Sequence, residues 1–250
     1  MRRAPRIARA VAPAALAGLA TSCSSSFGMP RGASTQGQDI FDLWRIFFIA
    51  AIPVAAIVYG LILWSVVRYR RRRSDDPGAL GEQFREHKLL EIVYTTIPVL
   101  IVIGLFVASV VTGDRVGAVS ANPDVIVHVE AYRWGWRFEY AGEGVTIVSK
   151  PSGEFVDGPE LVLPVDETVR IVLTSNDVVH AFWVPDFLYK HDAIPGRTFT
   201  FDIDPTVTGT YYGECAEFCG LNHAYMTFSV HVVQGVQFGA WLRAQQGEVA

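Results

Sequence analysis

Charged residues and cysteines are scarce in this chain of 250 residues. Only 18% of the residues are charged and 50% are apolar, which excludes an intrinsically disordered tail. Three cysteines are too few for a disulfide framework, and the absence of a CxxCH motif excludes a covalently attached c-type haem. Residues 124–250 carry 7 Lys and Arg against 17 Asp and Glu, which argues against a nucleic-acid partner.

The first residues have the layout of a bacterial export signal. Four arginines precede an apolar run over residues 10–20, which is too short to cross a bilayer. Small residues then lead to Cys23, as in a lipoprotein cleavage site. We therefore expect a signal peptide over residues 1–22 and lipid on Cys23 as the mature N-terminus; an ordinary signal peptide with a free thiol is the alternative. A flexible polar spacer is expected over residues 23–43.

Two long uncharged segments predict a transmembrane helical hairpin over residues 44–113. Residues 46–67 contain 22 positions without a charge, and residues 92–112 contain 21. About 20 apolar residues suffice to cross the hydrocarbon core as a helix. Pro53 and Pro98 lie inside these segments, where neighbouring helices can satisfy the freed carbonyl groups.

The loop between the two segments, residues 68–88, fixes the expected orientation. It begins with five closely spaced arginines, Arg68, Arg70, Arg71, Arg72 and Arg73. Cationic loops stay on the cytoplasmic side of a membrane. The sequence therefore predicts a multi-pass protein of the bacterial plasma membrane, with everything after the second segment on the extracytoplasmic side.

The pattern changes to short apolar runs in the last part of the chain, residues 114–250. Gly, Pro, Asp and Asn separate these runs, which is typical of an antiparallel β-sandwich or barrel. The runs occupy residues 125–129, 145–148, 168–173, 198–203 and 228–233. The expected fold class is thus a membrane-anchored all-β protein.

The densest cluster of candidate metal ligands contains Cys215, Cys219, His223 and Met226. Thiolate and thioether are soft donors that suit copper, and imidazole also binds copper. One further donor is expected from a distant strand, and His180 is the best candidate. This mixture of donors points away from calcium or magnesium as the main ion.

Several kinds of site could use these donors. A structural zinc site would take four Cys or His donors but would not need Met226, and a blue-copper site takes only one thiolate. A disulfide between Cys215 and Cys219 is the alternative in an oxidising compartment. If both thiolates bridge two copper ions, each ion also receives one imidazole and one weak ligand, either Met226 or a main-chain carbonyl.

The motif CxExCxxxHxxM, with a histidine 35 residues before its first cysteine, resembles the binuclear copper (CuA) signature of subunit II of the haem-copper cytochrome c oxidases. The resemblance covers roughly residues 40–242. It includes DAIPGR at 192–197, YYGECAEFCG at 211–220 and LLEIVYTTIPVL at 89–100. It implies that residues 114–250 form a cupredoxin-like CuA domain.

The resemblance also implies a set of functional residues. The copper ligands would be His180, Cys215, the carbonyl oxygen of Glu217, Cys219, His223 and Met226. The Glu217 carboxylate would bind a magnesium ion shared with subunit I. Trp134, in the aromatic segment 132–140, would be where electrons enter. Glu139 and Asp177 would help to dock cytochrome c, and Glu91 would lie at the mouth of a proton path.

The implied function is that of an electron-accepting subunit. Cytochrome c, soluble or membrane-bound, would reduce the copper pair, and subunit I would pass the electron to oxygen, forming water with proton pumping. The implied partners are subunit I, other oxidase subunits, cytochrome c and membrane lipid, without nucleic acid. A quinol oxidase subunit lacks the copper ligands, and nitrous oxide reductase needs a propeller absent from this chain. A membrane-tethered copper carrier is the alternative, and it would not need Trp134, Glu91 or Glu217.

Overall fold

The structure is a computed structural model in which two units are distinguished. It describes residues 28–70, 78, 85–149 and 158–248. The predicted signal peptide, Cys23 and three arginines of the loop, Arg71, Arg72 and Arg73, therefore lie outside the described residues. One unit comprises Asp42–Gly113, and the other combines the chain up to Phe41 with Asp114–Ala250.

Two long helices form the first unit and extend past its limits: α1 (Thr35–Arg68) and α2 (Lys88–Val116). Both are long and apolar enough to cross a membrane, and the side chains of their most apolar windows are not buried. Such a surface suits contact with lipid rather than with water. The two predicted membrane segments are therefore confirmed as helices.

Helix α2 begins with a polar cap. The Nδ1 atom of His87 accepts a hydrogen bond from the Leu90 N–H at 3.2 Å, and the Glu91 carboxylate accepts one from the His87 N–H at 3.3 Å. These two bonds satisfy donors that the first helical turn leaves free. Glu91 thus has a local structural role at the start of α2.

The segment before the first membrane helix differs from the predicted flexible spacer, because α1 begins at Thr35 and the residues before it pack in the β unit. The Ala33 N–H donates to the Asp186 carbonyl at 2.8 Å, and the Thr35 N–H donates to the Asp204 carbonyl at 3.0 Å. Ser34 is only 1% exposed. The second half of the spacer is therefore ordered by partners that lie far away in the sequence.

The rest of the β unit is a cupredoxin-like sandwich of two five-stranded sheets. The first sheet has the order β3-β2-β1-β5-β8 and the second has the order β4-β10-β9-β6-β7. The strands are β1 (Val125–Tyr132), β2 (Gly135–Tyr140), β3 (Val145–Val148), β4 (Glu160–Pro164), β5 (Val169–Ser175), β6 (His180–Val184), β7 (Tyr189–Ala193), β8 (Phe199–Ile203), β9 (Gly209–Cys215) and β10 (Thr227–Val233). All five predicted strands are present. The pairs β1–β5 and β10–β4 are parallel, whereas the sequence pattern predicts an antiparallel arrangement.

The core lies between the two sheets and follows from the alternation along each strand. In β1, for example, Val127, Val129 and Ala131 point inward and are fully buried. Aromatic rings from both sheets meet in the middle: the ring centroids of Trp136 and Phe228 are 5.3 Å apart. A C-terminal helix, α3 (Gly235–Glu248), follows the last strand.

Candidate metal centre

Strand pairing brings the distant histidine to the cysteine motif. His180 is the first residue of β6 and Cys215 is the last residue of β9. These strands are antiparallel neighbours, and Phe182 lies opposite Cys215. The loop after Cys215 then returns to β10, and the Cys215 N–H donates to the Met226 carbonyl at 2.9 Å. The predicted donors consequently meet at one end of the second sheet.

The two thiols lie at the middle of the cluster. Their sulfur atoms are 3.9 Å apart, far beyond the ~2.05 Å of a disulfide bond, and both cysteines are free. The Nδ1 atom of His180 is 3.7 Å from the Cys215 sulfur, and the Nδ1 atom of His223 is 3.5 Å from the Cys219 sulfur. Each thiol therefore has its own imidazole.

Two weaker donors complete the cluster. The Met226 sulfur lies 3.8 Å from the Cys219 sulfur. The Cys215 thiol donates to the Glu217 carbonyl oxygen at 3.2 Å. The Met226 thioether thus lies beside Cys219, and the Glu217 carbonyl lies beside Cys215. Two metal ions held by both cysteines would each have one of these weaker donors nearby.

The centre is shielded from water on its inner side. His180, Cys215, Cys219 and Met226 are at most 5% exposed, whereas His223 is half-buried. Burial and the nearby Cys215 raise the pKa of the Cys219 thiol. Burial also opposes ionisation of Cys215, but its hydrogen bond with His180 lowers the pKa of this thiol overall. A cation bound between the sulfurs would favour ionisation of the Cys219 thiol as well.

Asp177 holds the imidazole of His180 in place. Its Oδ1 lies 2.8 Å from the His180 Nε2 and accepts a hydrogen bond from the Val178 N–H at 2.7 Å. Its Oδ2 accepts a hydrogen bond from the Arg133 N–H at 2.8 Å. When Nε2 carries the proton, Nδ1 is left as the metal ligand on the side of Cys215. The resemblance to subunit II assigns Asp177 only to docking, although its carboxylate, three residues before His180, is the sequence signal for this hydrogen bond.

Trp134 contacts the metal-binding loop directly. Its indole N–H donates to the Cys219 carbonyl at 3.3 Å, and its ring packs against Gly220, where a Cβ atom would lie only 3.2 Å from it. The side chain is nevertheless 36% exposed. A surface aromatic ring is therefore hydrogen-bonded to the main chain of a candidate ligand.

Comparison with known proteins gives the family of this chain. The family model described as cytochrome C oxidase subunit II, periplasmic domain, matches residues 153–233, and the one for the transmembrane domain matches residues 22–111. A probable cytochrome c oxidase subunit 2 of Streptomyces avermitilis is 34% identical, covering 98% of this chain and 91% of the relative. The chain belongs to the cytochrome c oxidase subunit II family.

Other members of the subunit II family are similar over most of the chain. Cytochrome c oxidase subunit 2 of Mycobacterium tuberculosis is 31% identical, covering 95% of this chain and 81% of the relative. A crystal structure of the periplasmic domain of subunit II (CoxB) from Bradyrhizobium japonicum is 30% identical, with a TM-score of 0.47. It covers 53% of this chain and 100% of that domain. The matches to the transmembrane and periplasmic family models, together with the two long apolar helices, show a membrane protein with a periplasmic domain.

The remaining residues predicted from the resemblance to subunit II lie apart from the centre or at its edge. Glu217 is half-buried, and its carboxylate forms no hydrogen bond with a described residue. Glu139 is exposed on β2 and has no ion pair within the described part of the chain. Glu91 belongs to the helical unit, and Cys23 is outside the described residues.

Proposed function

We propose that this chain is the electron-accepting subunit of a cytochrome c oxidase. It would take single electrons from a cytochrome c at a binuclear CuA centre and deliver them to the haem-copper subunit I, where oxygen is reduced with proton translocation. The observation that carries this proposal is the pair of free thiols 3.9 Å apart, each beside a different imidazole.

The donor set fits two copper ions better than one ion. A single tetrahedral zinc would take four donors and leave Met226 and the Glu217 carbonyl unused. Bound copper supplies reversible one-electron chemistry. The chain's part is to keep water away from the buried thiols and to fix the His180 ring through Asp177, so that few atoms have to move when the charge changes.

Trp134 supplies the route by which electrons reach the centre under this proposal. An exposed aromatic ring offers a contact face to a docked haem protein. The hydrogen bond from Trp134 to the Cys219 carbonyl, at 3.3 Å, gives a short connected path to a copper ligand. Glu139 lies on β2, which begins directly after Trp134. Its carboxylate has no ion pair among the described residues, so it can attract a basic partner.

Two carboxylates are assigned to contacts with subunit I. We propose that Glu217 uses its carbonyl for copper and its carboxylate for a magnesium ion at the subunit boundary, because that carboxylate has no hydrogen bond among the described residues. We propose that Glu91 marks a proton path into subunit I. Its position in the first turn of α2 supports a location at the membrane surface.

We further propose a multi-pass location in a bacterial plasma membrane. The uncharged segments of the two helices and the basic loop between them support an extracytoplasmic position for the periplasmic domain. A signal peptide over residues 1–22 and lipid on Cys23 are consistent with that orientation and remain predictions.

Copper analysis of the purified full chain, combined with electron paramagnetic resonance, tests the main proposal. We expect two coppers per chain and a seven-line mixed-valence spectrum, because one unpaired electron is shared by two equivalent nuclei. Cys219→Ser should remove both features, whereas Cys23→Ser, the same substitution outside the centre, should keep them. One copper with a four-line spectrum would favour a copper carrier, and zinc alone would contradict the proposal.

A further inference from the structure

Three charged or ionisable side chains connect the surface beside Trp134 with the buried metal centre. The side chain of His180 has no exposed surface, that of Asp177 is 24% exposed and that of Arg133 is 49% exposed. The Asp177 Oδ1 lies 2.8 Å from the His180 Nε2, and its Oδ2 lies 3.3 Å from the Arg133 Nε. A guanidinium at the surface is therefore joined to a candidate copper ligand through a single carboxylate.

Main-chain hydrogen bonds hold the Asp177 carboxylate independently of this guanidinium. Its Oδ2 accepts a hydrogen bond from the Arg133 N–H at 2.8 Å, and its Oδ1 accepts one from the Val178 N–H at 2.7 Å. A substitution that changes only the side chain of Arg133 leaves both N–H donors in place. The carboxylate therefore keeps its position when the guanidinium is removed, and only the charge beside it changes.

The charge beside Asp177 affects how strongly His180 donates electrons to a metal. When the imidazole Nε2 carries the proton, a carboxylate that accepts this hydrogen bond makes the other nitrogen a more basic ligand. That other nitrogen, Nδ1, lies 3.7 Å from the Cys215 sulfur. A cation next to the carboxylate offsets part of its negative charge, so it makes Nδ1 a weaker donor. A weaker donor favours the reduced state of a metal centre, which has the smaller positive charge.

We propose that Arg133 is a positioning residue for electron transfer, which raises the reduction potential of the metal centre through Asp177 and His180. This inference rests on the proposed function, in which the centre holds two copper ions. A higher potential favours transfer to the centre from a reduced cytochrome that docks at Trp134, the next residue in the chain. Because His180 is buried, water screens its interaction with Asp177 less than it screens a pair at the surface.

Arg137 provides the matched control. Its side chain is also 49% exposed, and its Nη1 lies 2.9 Å from the Glu130 Oε2. Glu130 forms no hydrogen bond with a candidate metal ligand among the residues that the structure describes. The two arginines therefore carry the same charge at a similar exposure, and they differ in whether the paired carboxylate contacts a ligand.

Potentiometry of the copper-loaded full chain, followed by the optical absorption of the centre, tests the proposal. We expect Arg133→Gln to shift the one-electron reduction equilibrium about three- to tenfold towards the oxidised state, equivalent to a potential lower by about 30–60 mV. Arg133→Ala, a second neutral variant, should shift it in the same direction. Arg133→Lys should keep most of the wild-type potential because it keeps the charge, and Arg137→Gln should keep all of it.

A double variant tests whether the effect passes through Asp177. In an Asp177→Asn background, Arg133→Gln should shift the potential much less than it does in the wild type, because no carboxylate remains for the guanidinium to offset. An undiminished shift would mean that the guanidinium acts on the centre directly through space, which overturns the proposed route.

Two further outcomes overturn the proposal: a wild-type potential in both Arg133→Gln and Arg133→Ala, or an equal shift in Arg137→Gln. The copper content and electron paramagnetic resonance spectrum of the wild type separate this inference from the proposed function. If they show no copper pair, the proposed function fails and the inference fails with it. If the copper pair is present and the neutral variants keep the wild-type potential, only the inference fails.

Discussion

The Trp134 indole connects the protein surface with the metal-binding loop through one hydrogen bond to the Cys219 carbonyl. We expect Trp134→Phe to slow reduction by cytochrome c on the order of tenfold, equivalent to about 1.4 kcal/mol of activation free energy. The reason is that phenylalanine keeps an aromatic face but removes the N–H donor. Stopped-flow reduction kinetics measure the effect.

Two controls belong to the Trp134 experiment. The copper content of Trp134→Phe should be unchanged, because the ring donates to a carbonyl and is not itself a candidate ligand. Trp241→Phe changes a partly buried tryptophan on α3 and should reduce at the wild-type rate. Equal rates for Trp134→Phe and the wild type would refute the role of Trp134.

Asp177 makes the stability of the copper-free protein depend on pH. Burial by itself raises the pKa of Asp177, but hydrogen bonds with His180 and with the N–H groups of Arg133 and Val178 lower it to about 2, from an ordinary value of 3.8. A lowered carboxyl pKa stabilises the fold above the unfolded-state pKa, and this stabilisation disappears as the pH falls towards the native pKa.

We therefore expect Asp177→Asn to lower the urea midpoint of the copper-depleted full chain at pH 6, and the difference from the wild type to shrink between about pH 4 and pH 2. Urea unfolding followed by tryptophan fluorescence measures both. Glu139→Gln, which changes an exposed carboxylate without an ion pair among the described residues, should show little difference at any pH. A constant difference for Asp177→Asn would contradict the pKa argument.

At the scale of elements, the first turns of α1 pack against the β unit. Gly37 lies in the first turns of α1, and a Cβ atom there would be 2.5 Å from the Phe187 carbonyl oxygen. Only a residue without a side chain permits this approach. The first turns of α1 are consequently part of the β unit, and a fragment that starts at residue 114 would lack them.

We expect Gly37→Ala to lower the thermal unfolding midpoint of the β unit, since the added methyl group costs about 1–3 kcal/mol where the neighbouring main chain cannot move. Gly104→Ala is the matched control, because Gly104 is also helical but has no atom within 4 Å of the added Cβ. Near-ultraviolet circular dichroism of the full chain in detergent follows the transition. Equal midpoints in the two variants would show that α1 does not pack as described.

For the whole molecule, charge is divided along the chain. Residues 1–123 carry 14 basic and 8 acidic residues, whereas residues 124–250 carry 7 and 17. Near Trp134, however, two arginines are paired with carboxylates: Arg133 with Asp177 at 3.3 Å, and Arg137 with Glu130 at 2.9 Å. Glu139 is the nearby carboxylate without such a pair among the described residues, so it has most to contribute to attraction.

Glu139→Gln should accordingly slow association with a basic cytochrome c by about two- to fivefold at low salt, because complementary charge acts mainly on the association rate. The difference from the wild type should vanish above about 0.2 M salt, where the Debye length is below 8 Å. Stopped-flow measurements at several ionic strengths test this. Glu143→Gln, at an acidic residue in the turn after β2, is the comparison variant. If Glu139→Gln lowers the rate equally at all salt concentrations, docking attraction is not the cause.

The amino-acid sequence by itself determined the parts of this protein that depend on local composition. The two uncharged segments, residues 46–67 and 92–112, specify the membrane helices, because a segment that spans a bilayer must be apolar and satisfy its own backbone hydrogen bonds. The alternation in the second half specifies the strands, and the spacing of Cys215, Cys219, His223 and Met226 specifies most of the candidate centre. These features depend on residues close together in the chain, so their pattern is visible without a fold.

Only the tertiary structure decided which distant groups meet. It placed residues 33–37 against the β unit, turned Asp177 towards both His180 and Arg133, and brought Trp134 to the Cys219 carbonyl. It also made two strand pairs parallel. Apart from Asp177 and His180, which are three residues apart, each of these contacts joins residues that are far apart in the chain. Their specificity comes from the pairing of strands and the packing of side chains, which no local pattern contains.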